Sequence, residues 1–386
     1  MPDVREVIAA LNRVDWDFPR SGTDAGSVHG MHWFPGNFIP QLPAFLIQIL
    51  SKPGQVVLDP FGGSGTTAIE GMKLGRRMIS SDRVSACAFL ARGKVAAARR
   101  PLSFAVKSQI LAELTWSQRC ETDRPGRNGE GADPSLEIWY APPTLRQLRY
   151  LWHLIEEWSE SDRDILEMLF SDLLFACAST AGSRTSSGGL RRHHWGWVAD
   201  NVKPKVPVEH DAIEGFRMRL LAAPEAPIRA DHPPQILQDD ARNLSLSDES
   251  VDLIVTSPPY IGVIDYVLAN RMMYLWMGWP LDADRSQEIG ARFKRKRTKA
   301  RMTAEYFSEM AASWREFRRV LRPGAHCAVI IGESRAFPGT YEQALASLEE
   351  QLPKVWGPVP RTPSRRRVSD RQASEAREVL AVYRKP

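Results

Sequence analysis

The stretch VDLIVTSPPY, residues 251–260, ends a run of apolar residues in a hydroxyl group, two prolines and an aromatic ring. Consecutive prolines cannot continue a sheet, because neither donates a backbone N–H and both fix φ. The chain therefore leaves a strand and enters a rigid turn. A simple strand terminator would explain the prolines. A site that grips a flat polar group would also explain Ser257 and Tyr260.

The stretch LDPFGGSGTT, residues 58–67, is the second group of residues that could do chemistry. A strand ends at Asp59, three glycines follow, and a helix begins. Glycine lets the backbone approach a ligand closely, and the first N–H groups of a helix can bind polar ligand atoms. The Lys-Ser/Thr ending of a phosphate loop is missing, and the acid suits a cationic ligand. A tight structural turn is the alternative interpretation.

Two further acids follow predicted strands. Asp82 comes about 20 residues after the glycine loop, where an acid commonly accepts hydrogen bonds from ribose hydroxyls. A helix N-cap is the other interpretation of Asp82. Asp240 follows a later strand. Because the carboxyl ends of parallel strands share one edge, we expect Asp59, Asp82 and Asp240 to surround the glycine loop.

The elements that must position these residues alternate as strand, helix, strand, helix, which predicts an α/β fold with a parallel sheet. Residues 143–179 have helical periodicity, and polar, glycine-rich segments flank them. We therefore expect one domain made of residues 1–100 and 231–386, interrupted by a mainly helical insertion at 101–230. The predicted strands are 54–59, 76–82, 235–240, 251–257, 325–332 and 377–385, and the predicted helices of the main domain are 3–12, 41–51, 68–74, 84–99 and 303–321.

Composition narrows the class of protein. The chain has 386 residues and is 43% hydrophobic, enough for a large core. It has no run of about 18 apolar residues and no apolar signal core, so we expect a cytoplasmic protein without membrane contact. The cysteines are widely spaced, and His193 and His194 lack a third ligand, so we expect no metal.

The net charge of +5 is clustered rather than spread evenly. ARFKRKRTKAR, residues 291–301, has seven basic residues and no acid, and RTPSRRR, residues 361–367, has four arginines. Such clusters suit a polyanion, and solvated loops are the alternative.

DPFGGSGTT followed by TSPPY resembles the amino-methyltransferases, the S-adenosylmethionine-dependent DNA enzymes that methylate N4 of cytosine or N6 of adenine. HWFPGNFIP (32–40) resembles the segment that precedes the glycine loop in this family. FRRVLRPGAHCAVIIG (317–332) resembles its helix, turn and strand after the catalytic motif. The resemblance covers about 31–95 and 235–385. It implies a Rossmann-like methyltransferase, with a mostly parallel central sheet flanked by helices.

By position, the resemblance implies that Asp59 and the glycine loop hold the methionine and sulfonium, that Asp82 binds the ribose, and that Asp240 lies near the adenine amino group. Asn37 departs from the pattern, since many relatives carry a basic residue there. The implied cofactor-binding residues are His32, Phe34, Pro35, Phe38, Asp59, Pro60, Phe61, Gly62, Gly63, Gly65, Thr66, Thr67, Asp82, Asp240 and Ala241.

The implied catalytic turn is Ser257, Pro258, Pro259 and Tyr260. An exocyclic amino nitrogen is a poor nucleophile, because its lone pair is delocalised into the ring. Ser257 Oγ and the Pro258 carbonyl could accept its N–H groups, and Tyr260 could stack on a base flipped out of the duplex. In this family serine at 257 is commoner in N4-cytosine enzymes and aspartate in N6-adenine enzymes, so we expect N4-cytosine, with N6-adenine as the alternative.

Double-stranded DNA is the expected partner, and a cognate restriction endonuclease acting on the same site is a further candidate. In a prokaryotic cell the enzyme would lie on the nucleoid when bound to DNA. The insertion 101–230 is the candidate target-recognition region. The candidate DNA-binding residues are Arg184, Arg191, Arg192, Lys294, Arg295, Lys296 and Arg297. An RNA or small-molecule methyltransferase, and a catalytically silent nucleic-acid-binding subunit, are more remote alternatives.

Overall fold

The structure, a computed structural model, describes residues 4–18, 27–119, 135–178, 180–181, 206–291, 298–332, 336–361 and 378–386. Within these residues, seven strands form one sheet and two short strands form a separate antiparallel pair. The strands of the large sheet are β1 (Val56–Asp59), β2 (Arg77–Ser81), β5 (Gln235–Leu237), β6 (Val251–Thr256), β7 (Leu321–Gly332), β8 (Lys354–Arg361) and β9 (Glu378–Arg384), and the pair is β3 (Thr180–Ala181) with β4 (Val206–Pro207).

The large sheet has the strand order β5-β2-β1-β6-β7-β9-β8. The first five strands of this order are parallel, and β9 runs antiparallel to both β7 and β8. From β1 the chain continues to β2 on one side, and it returns to β6 on the other. The carboxyl ends of β1 and β6 therefore flank a topological switch point, where open α/β sheets bind their ligands.

Helices cover both faces of this sheet. The helices are α1 (Val4–Leu11), α2 (Gln41–Leu50), α3 (Thr66–Lys73), α4 (Ser85–Arg99), α5 (Phe104–Arg119), α6 (Leu136–Trp139), α7 (Pro142–Glu156), α8 (Glu160–Cys177), α9 (Ala212–Ala222), α10 (Tyr266–Ala269), α11 (Arg271–Met277), α12 (Leu281–Gln287), α13 (Lys299–Val320) and α14 (Thr340–Glu349). The prediction of an α/β fold with a mostly parallel central sheet flanked by helices is confirmed.

The two sides of the sheet have separate cores, because successive residues of a strand point to opposite faces. Val57 packs with α2 and α3, and Leu58 packs with α13 and α14. On α13 the buried residues Tyr306, Met310 and Trp314 recur every fourth position, which gives the helix one apolar face. This face holds α13 against the sheet, directly behind the catalytic turn.

The helices of the segment 101–230 share a hydrophobic core with α4. α4 and α8 approach each other closely at Gly93 of α4, where an added Cβ would lie 2.7 Å from Met168 Cβ and 2.9 Å from the Asp164 carbonyl oxygen of α8. The predicted insertion is therefore packed onto the sheet domain through α4. Its role in target recognition stays a prediction.

Several elements differ from the prediction. The helical periodicity at 143–179 is confirmed as the two helices α7 and α8, whereas other elements had no prediction. The short helices α10 to α12 after the catalytic turn, the helix α14 and the strand β8 were not predicted. None of the helices in the described ranges is long and apolar enough to span a membrane.

The close contact at Gly93 yields a stability prediction. Replacing Gly93 with Ala should lower the free energy of unfolding by about 1–3 kcal/mol, because the new methyl group meets backbone and a Cβ that cannot rotate away. Gly215→Ala on α9 is the matched control, since its nearest neighbour is the rotatable Leu173 Cδ1. Urea denaturation measures the free energy of unfolding of both variants, and we expect Gly93→Ala to lose more than Gly215→Ala. Equal losses would contradict the proposed contact between α4 and α8.

Candidate active site at the carboxyl ends of β1 and β6

A buried hydrogen bond joins the ends of the two central strands. Thr256, the last residue of β6, donates from Oγ1 to Asp59 Oδ1 of β1 at 2.6 Å. The same carboxylate oxygen accepts the backbone N–H of Phe61 at 3.1 Å. Asp59 and Thr256 are both buried. The glycine loop after β1 and the Ser-Pro-Pro-Tyr turn after β6 are therefore held next to each other.

The backbone N–H groups of the glycine loop are already used within the protein. Gly62 N donates to the Ser81 carbonyl oxygen at 2.9 Å, Gly63 N to Asp82 Oδ2 at 2.9 Å, and Gly65 N to the Gly62 carbonyl oxygen at 2.9 Å. A Cβ on Gly62 would lie only 2.0 Å from Ser80 Oγ. These three N–H donors are therefore not available to an anionic ligand.

Burial raises the pKa of Asp59 to about 6, and the nearby charge of Asp82 adds to this, while the hydrogen bonds from Thr256 and Phe61 oppose it. Burial also raises the pKa of Asp82. Asp82 Oδ1 accepts the N–H of Val84 at 3.0 Å. The N-cap of α4 is Val84, so the interpretation of Asp82 as an N-cap is wrong. With hydrogen bonds from Val84, Gly63 and Cys87, the carboxylate keeps a lone pair that can accept a hydroxyl.

Asp240 is paired with a neighbouring arginine. Its Oδ1 accepts Arg242 Nε at 2.8 Å, and its Oδ2 accepts Arg242 Nη2 at 2.6 Å. Burial disfavours the charged form, but the hydrogen bonds from Arg242 outweigh it and hold the pKa of Asp240 below its ordinary value. The Asp239 N–H bonds the Asp82 carbonyl oxygen at 3.2 Å, so Asp240 follows a segment tied to Asp82. A ligand amino group at Asp240 would have to share the carboxylate with Arg242.

The segment 32–38 crosses over the glycine loop. The ring of Phe34 stacks on Tyr266 with a centroid separation of 5.7 Å, and it would contact an added Cβ of Gly63 at 3.4 Å. Pro35 is buried and Phe38 packs at the edge of the core. Burial lowers the pKa of the neighbouring His32 to about 4. His32 Nε2 is a buried polar atom with no hydrogen-bond partner in the described residues.

Lys94 was missed by the sequence reasoning. It projects from α4 and is fully buried, and its Nζ donates to Ser64 Oγ of the glycine loop at 3.0 Å. Ser64 in turn donates to Asn37 Oδ1 at 2.6 Å. Burial lowers the pKa of Lys94 to about 8, while the charge of Asp172 acts in the opposite direction. Asp172 itself accepts hydrogen bonds from Arg219 Nε and the Trp33 N–H.

The catalytic turn is supported from α13 and from β9. Tyr306 donates its hydroxyl to the Pro259 carbonyl oxygen at 3.1 Å, whereas none of the described residues donates to the Pro258 carbonyl oxygen. Tyr260 donates to Glu378 Oε1 at 2.7 Å, and Ser257 Oγ lies 3.3 Å from the Tyr260 hydroxyl oxygen. Glu378 also pairs with Arg361. Tyr306 and Glu378 carried no sequence signal, since each lies far along the chain from the turn. Arg361 was counted in the basic cluster 361–367, but it is buried and paired with Glu378, so it is not part of a polyanion-binding surface.

Hydrogen bonds and ring contacts connect the glycine loop, Asp82, the segment 32–38 and the Ser-Pro-Pro-Tyr turn at the carboxyl ends of the parallel strands. The seven candidate DNA-binding residues, Arg184, Arg191, Arg192, Lys294, Arg295, Lys296 and Arg297, lie outside the described residues. Across the described ranges, no group of three or more His, Cys, Asp or Glu residues could hold a metal ion.

A glycine loop, strand-end acids and a rigid Pro-Pro turn lie at the switch point of this sheet, an arrangement that resembles the α/β methyltransferases. Residues 13–87, which include the glycine loop and Asp82, match the DNA methylase family. This match and the two relatives described next confirm the resemblance to the DNA amino-methyltransferases.

The type II methyltransferase M.MjaII of Methanocaldococcus jannaschii is 20% identical, over 84% of this chain and 76% of its own length. The type II methyltransferase M.MvaI of Kocuria varians is 22% identical, over 66% of this chain and 58% of its own length. Among solved structures, the rRNA methyltransferase AviRa of Streptomyces viridochromogenes aligns over 97% of this chain and 94% of its own, with a TM-score of 0.33 and 17% identity.

The raised pKa of Asp59 gives a pH prediction for binding of the positively charged S-adenosylmethionine. The ionised fraction of Asp59 falls as the pH drops through about 6. Binding should therefore weaken roughly tenfold between pH 7.5 and pH 5. Asp59→Asn should bind more weakly at pH 7.5 and lose most of this pH dependence. Isothermal titration calorimetry measures both, with the uncharged 5′-methylthioadenosine as a control ligand. An equal pH response in the two proteins would contradict the assignment.

Proposed function

We propose that the protein is a site-specific DNA methyltransferase that transfers a methyl group from S-adenosylmethionine to N4 of a cytosine flipped out of duplex DNA. The observation that carries the proposal is the hydrogen bond from Thr256 to Asp59, because it sets the Ser-Pro-Pro-Tyr turn beside the glycine loop. Both of the relatives described above are named type II methyltransferases, which supports DNA as the substrate and a cognate restriction endonuclease as a partner.

The candidate residues at the carboxyl ends of the parallel strands suit each part of S-adenosylmethionine. S-adenosylmethionine, when bound, supplies an activated methyl group on a sulfonium. Asp59 would attract the positive charge of the methionine end, and Asp82 would accept the ribose hydroxyls. The cofactor has one anionic group, its α-carboxylate, and the buried ammonium of Lys94 would bind it. The unpartnered His32 Nε2 supports a polar ligand on the same side of the loop.

The catalytic turn would act on the amino group of the base. Ser257 Oγ and the Pro258 carbonyl oxygen are the two acceptors offered to its N–H groups, and two such bonds favour a more tetrahedral, more nucleophilic nitrogen. Proline on both sides of the carbonyl prevents the turn from relaxing. Tyr260, half-buried, offers its ring as a stacking surface for the base. Much of the remaining catalytic effect is the alignment of two bound reactants.

The choice of N4-cytosine rests on Ser257, where N6-adenine enzymes of the resembled family more often carry aspartate. N6-adenine methylation of DNA is the second candidate, because both bases present an exocyclic amino group to the same two acceptors. A serine hydroxyl is uncharged, so its acceptor strength is set by the groups around it.

Product analysis tests the proposed function. The protein, methyl-labelled S-adenosylmethionine and duplex DNA of mixed sequence are incubated, and the DNA is digested to nucleosides. Label on N4-methyl-2′-deoxycytidine is the expected result, and label on N6-methyl-2′-deoxyadenosine would select the second candidate. Transfer to RNA in place of DNA, or cofactor binding without any transfer, would overturn the proposal. Ser257→Ala and Tyr260→Ala should each reduce the rate at least tenfold without loss of cofactor binding.

The role of Lys94 is tested by ligand binding rather than by turnover. Lys94→Met should weaken the binding of S-adenosylhomocysteine tenfold or more, because an unscreened carboxylate contact is lost. It should leave 5′-methylthioadenosine, which lacks the carboxylate, within about twofold. Lys73→Met on α3 removes a lysine that pairs with Glu70 and serves as the matched control. Equal weakening of both ligands by Lys94→Met would show that Lys94 only supports the fold.

A further inference from the structure

A charged residue of β9 contacts the catalytic turn, and a charged residue of the edge strand β8 pairs with it. Arg361 ends β8, Glu378 begins β9, and the two side chains form an ion pair. The Arg361 side chain is 5% exposed and that of Glu378 is 16% exposed. Arg361 also donates from Nε to the Trp16 carbonyl oxygen at 3.1 Å. Burying a charge pair to this extent has a large desolvation cost. Apolar side chains of similar volume would stabilise the fold as well or better, so a purely structural role does not explain the pair.

The hydrogen bonds around Tyr260 have a fixed direction. A carboxylate can only accept, so the single hydroxyl proton of Tyr260 points to Glu378 Oε1, at 2.7 Å. The contact between Ser257 Oγ and the Tyr260 hydroxyl oxygen, at 3.3 Å, then has one available donor, which is Ser257. The proton of Ser257 is therefore directed toward Tyr260.

This direction decides what Ser257 presents to a base. An exocyclic amino group offers N–H donors, and the Pro258 carbonyl oxygen can only accept. A serine hydroxyl can donate or accept, and a proton pointing into the site would oppose the amino group. With its proton committed to Tyr260, Ser257 presents only lone pairs, so both groups of the turn are acceptors.

We propose that Glu378, held by Arg361, is a positioning residue that acts through the Tyr260 hydroxyl to hold Ser257 as a hydrogen-bond acceptor for the amino group of the target base. This inference rests on the proposed function. Arg361 favours the charged, acceptor-only form of Glu378, because an opposite charge stabilises a carboxylate. The ring of Tyr260 stays free to stack while its hydroxyl serves the relay.

A double-mutant cycle tests the relay. Glu378→Gln keeps the size of the side chain but can donate its amide hydrogen to Tyr260, which would reverse both hydrogen bonds. We expect kcat to fall 10- to 100-fold, with Kd for S-adenosylhomocysteine and for DNA changed less than threefold. Tyr260→Phe removes the hydroxyl and keeps the ring. In the Tyr260→Phe background, Glu378→Gln should cause no further loss, since coupled residues are not additive.

A purely structural role for Glu378 gives a different pattern. Glu378→Gln would then reduce kcat by the same factor in both backgrounds, or would weaken both ligands, and either result would overturn the inference. If Glu378→Gln does not fold, Glu378→Asp replaces it in the double-mutant cycle with Tyr260→Phe. This variant keeps the carboxylate but shortens its reach by one methylene. Its kcat should lie between those of the unmodified protein and Glu378→Gln. In the Tyr260→Phe background, Glu378→Asp should cause no further loss of kcat.

The activity of the unmodified protein distinguishes failure of the proposed function from failure of this inference. If it transfers no methyl group to any DNA, the proposed function and this inference both fail. If it methylates DNA and the cycle is additive, only the relay is wrong.

Discussion

The hydrogen bond between Thr256 and Asp59 is the contact on which the rest of the site depends. It connects the ends of β6 and β1, the two strands on either side of the switch point. Because both residues are buried, the bond is shielded from water, and the loops that follow begin from fixed positions. The glycine loop and the Pro-Pro turn extend in the same direction from this point. Their separation is set by the spacing of adjacent parallel strands, which is about 4.8 Å.

Around this contact the chain buries ionisable groups, and their burial lowers the stability of the fold. Asp59 is buried with its pKa raised, and Lys94 is buried with its pKa lowered and a serine hydroxyl as its partner. Desolvated groups of this kind persist where a ligand compensates them, which is why perturbed ionisable groups cluster at functional sites. The Glu378–Arg361 pair, also largely buried, adjoins the Ser-Pro-Pro-Tyr turn through Tyr260. The glycine loop and the Ser-Pro-Pro-Tyr turn therefore each adjoin a buried charge held by secondary structure.

Local signals were sufficient for the elements closest to the chemistry. The glycines and the acid after β1, the aspartate after β2 and the prolines after β6 marked strand ends within a few residues, because turn residues have strong intrinsic backbone preferences. The short helices α10 to α12 had no such signal. Helices of four to seven residues are unstable alone and form only when the surrounding structure stabilises them. Here the Glu288 carboxylate accepts the backbone N–H groups of Tyr266 and Val267 at the start of α10.

The sequence by itself determined the α/β class, the motif positions and the types of chemical group at the strand ends, since these follow from periodicity and from residues that act within a few positions of one another. Only the tertiary structure decided which distant groups complete them. Lys94 approaches Ser64 from 30 residues away and Glu378 approaches Tyr260 from 118. No local pattern encodes such pairs, because each joins elements that only the packing of the fold brings together, α4 with the glycine loop and β9 with the turn after β6. The direction of the Ser257 proton is likewise a property of the folded network.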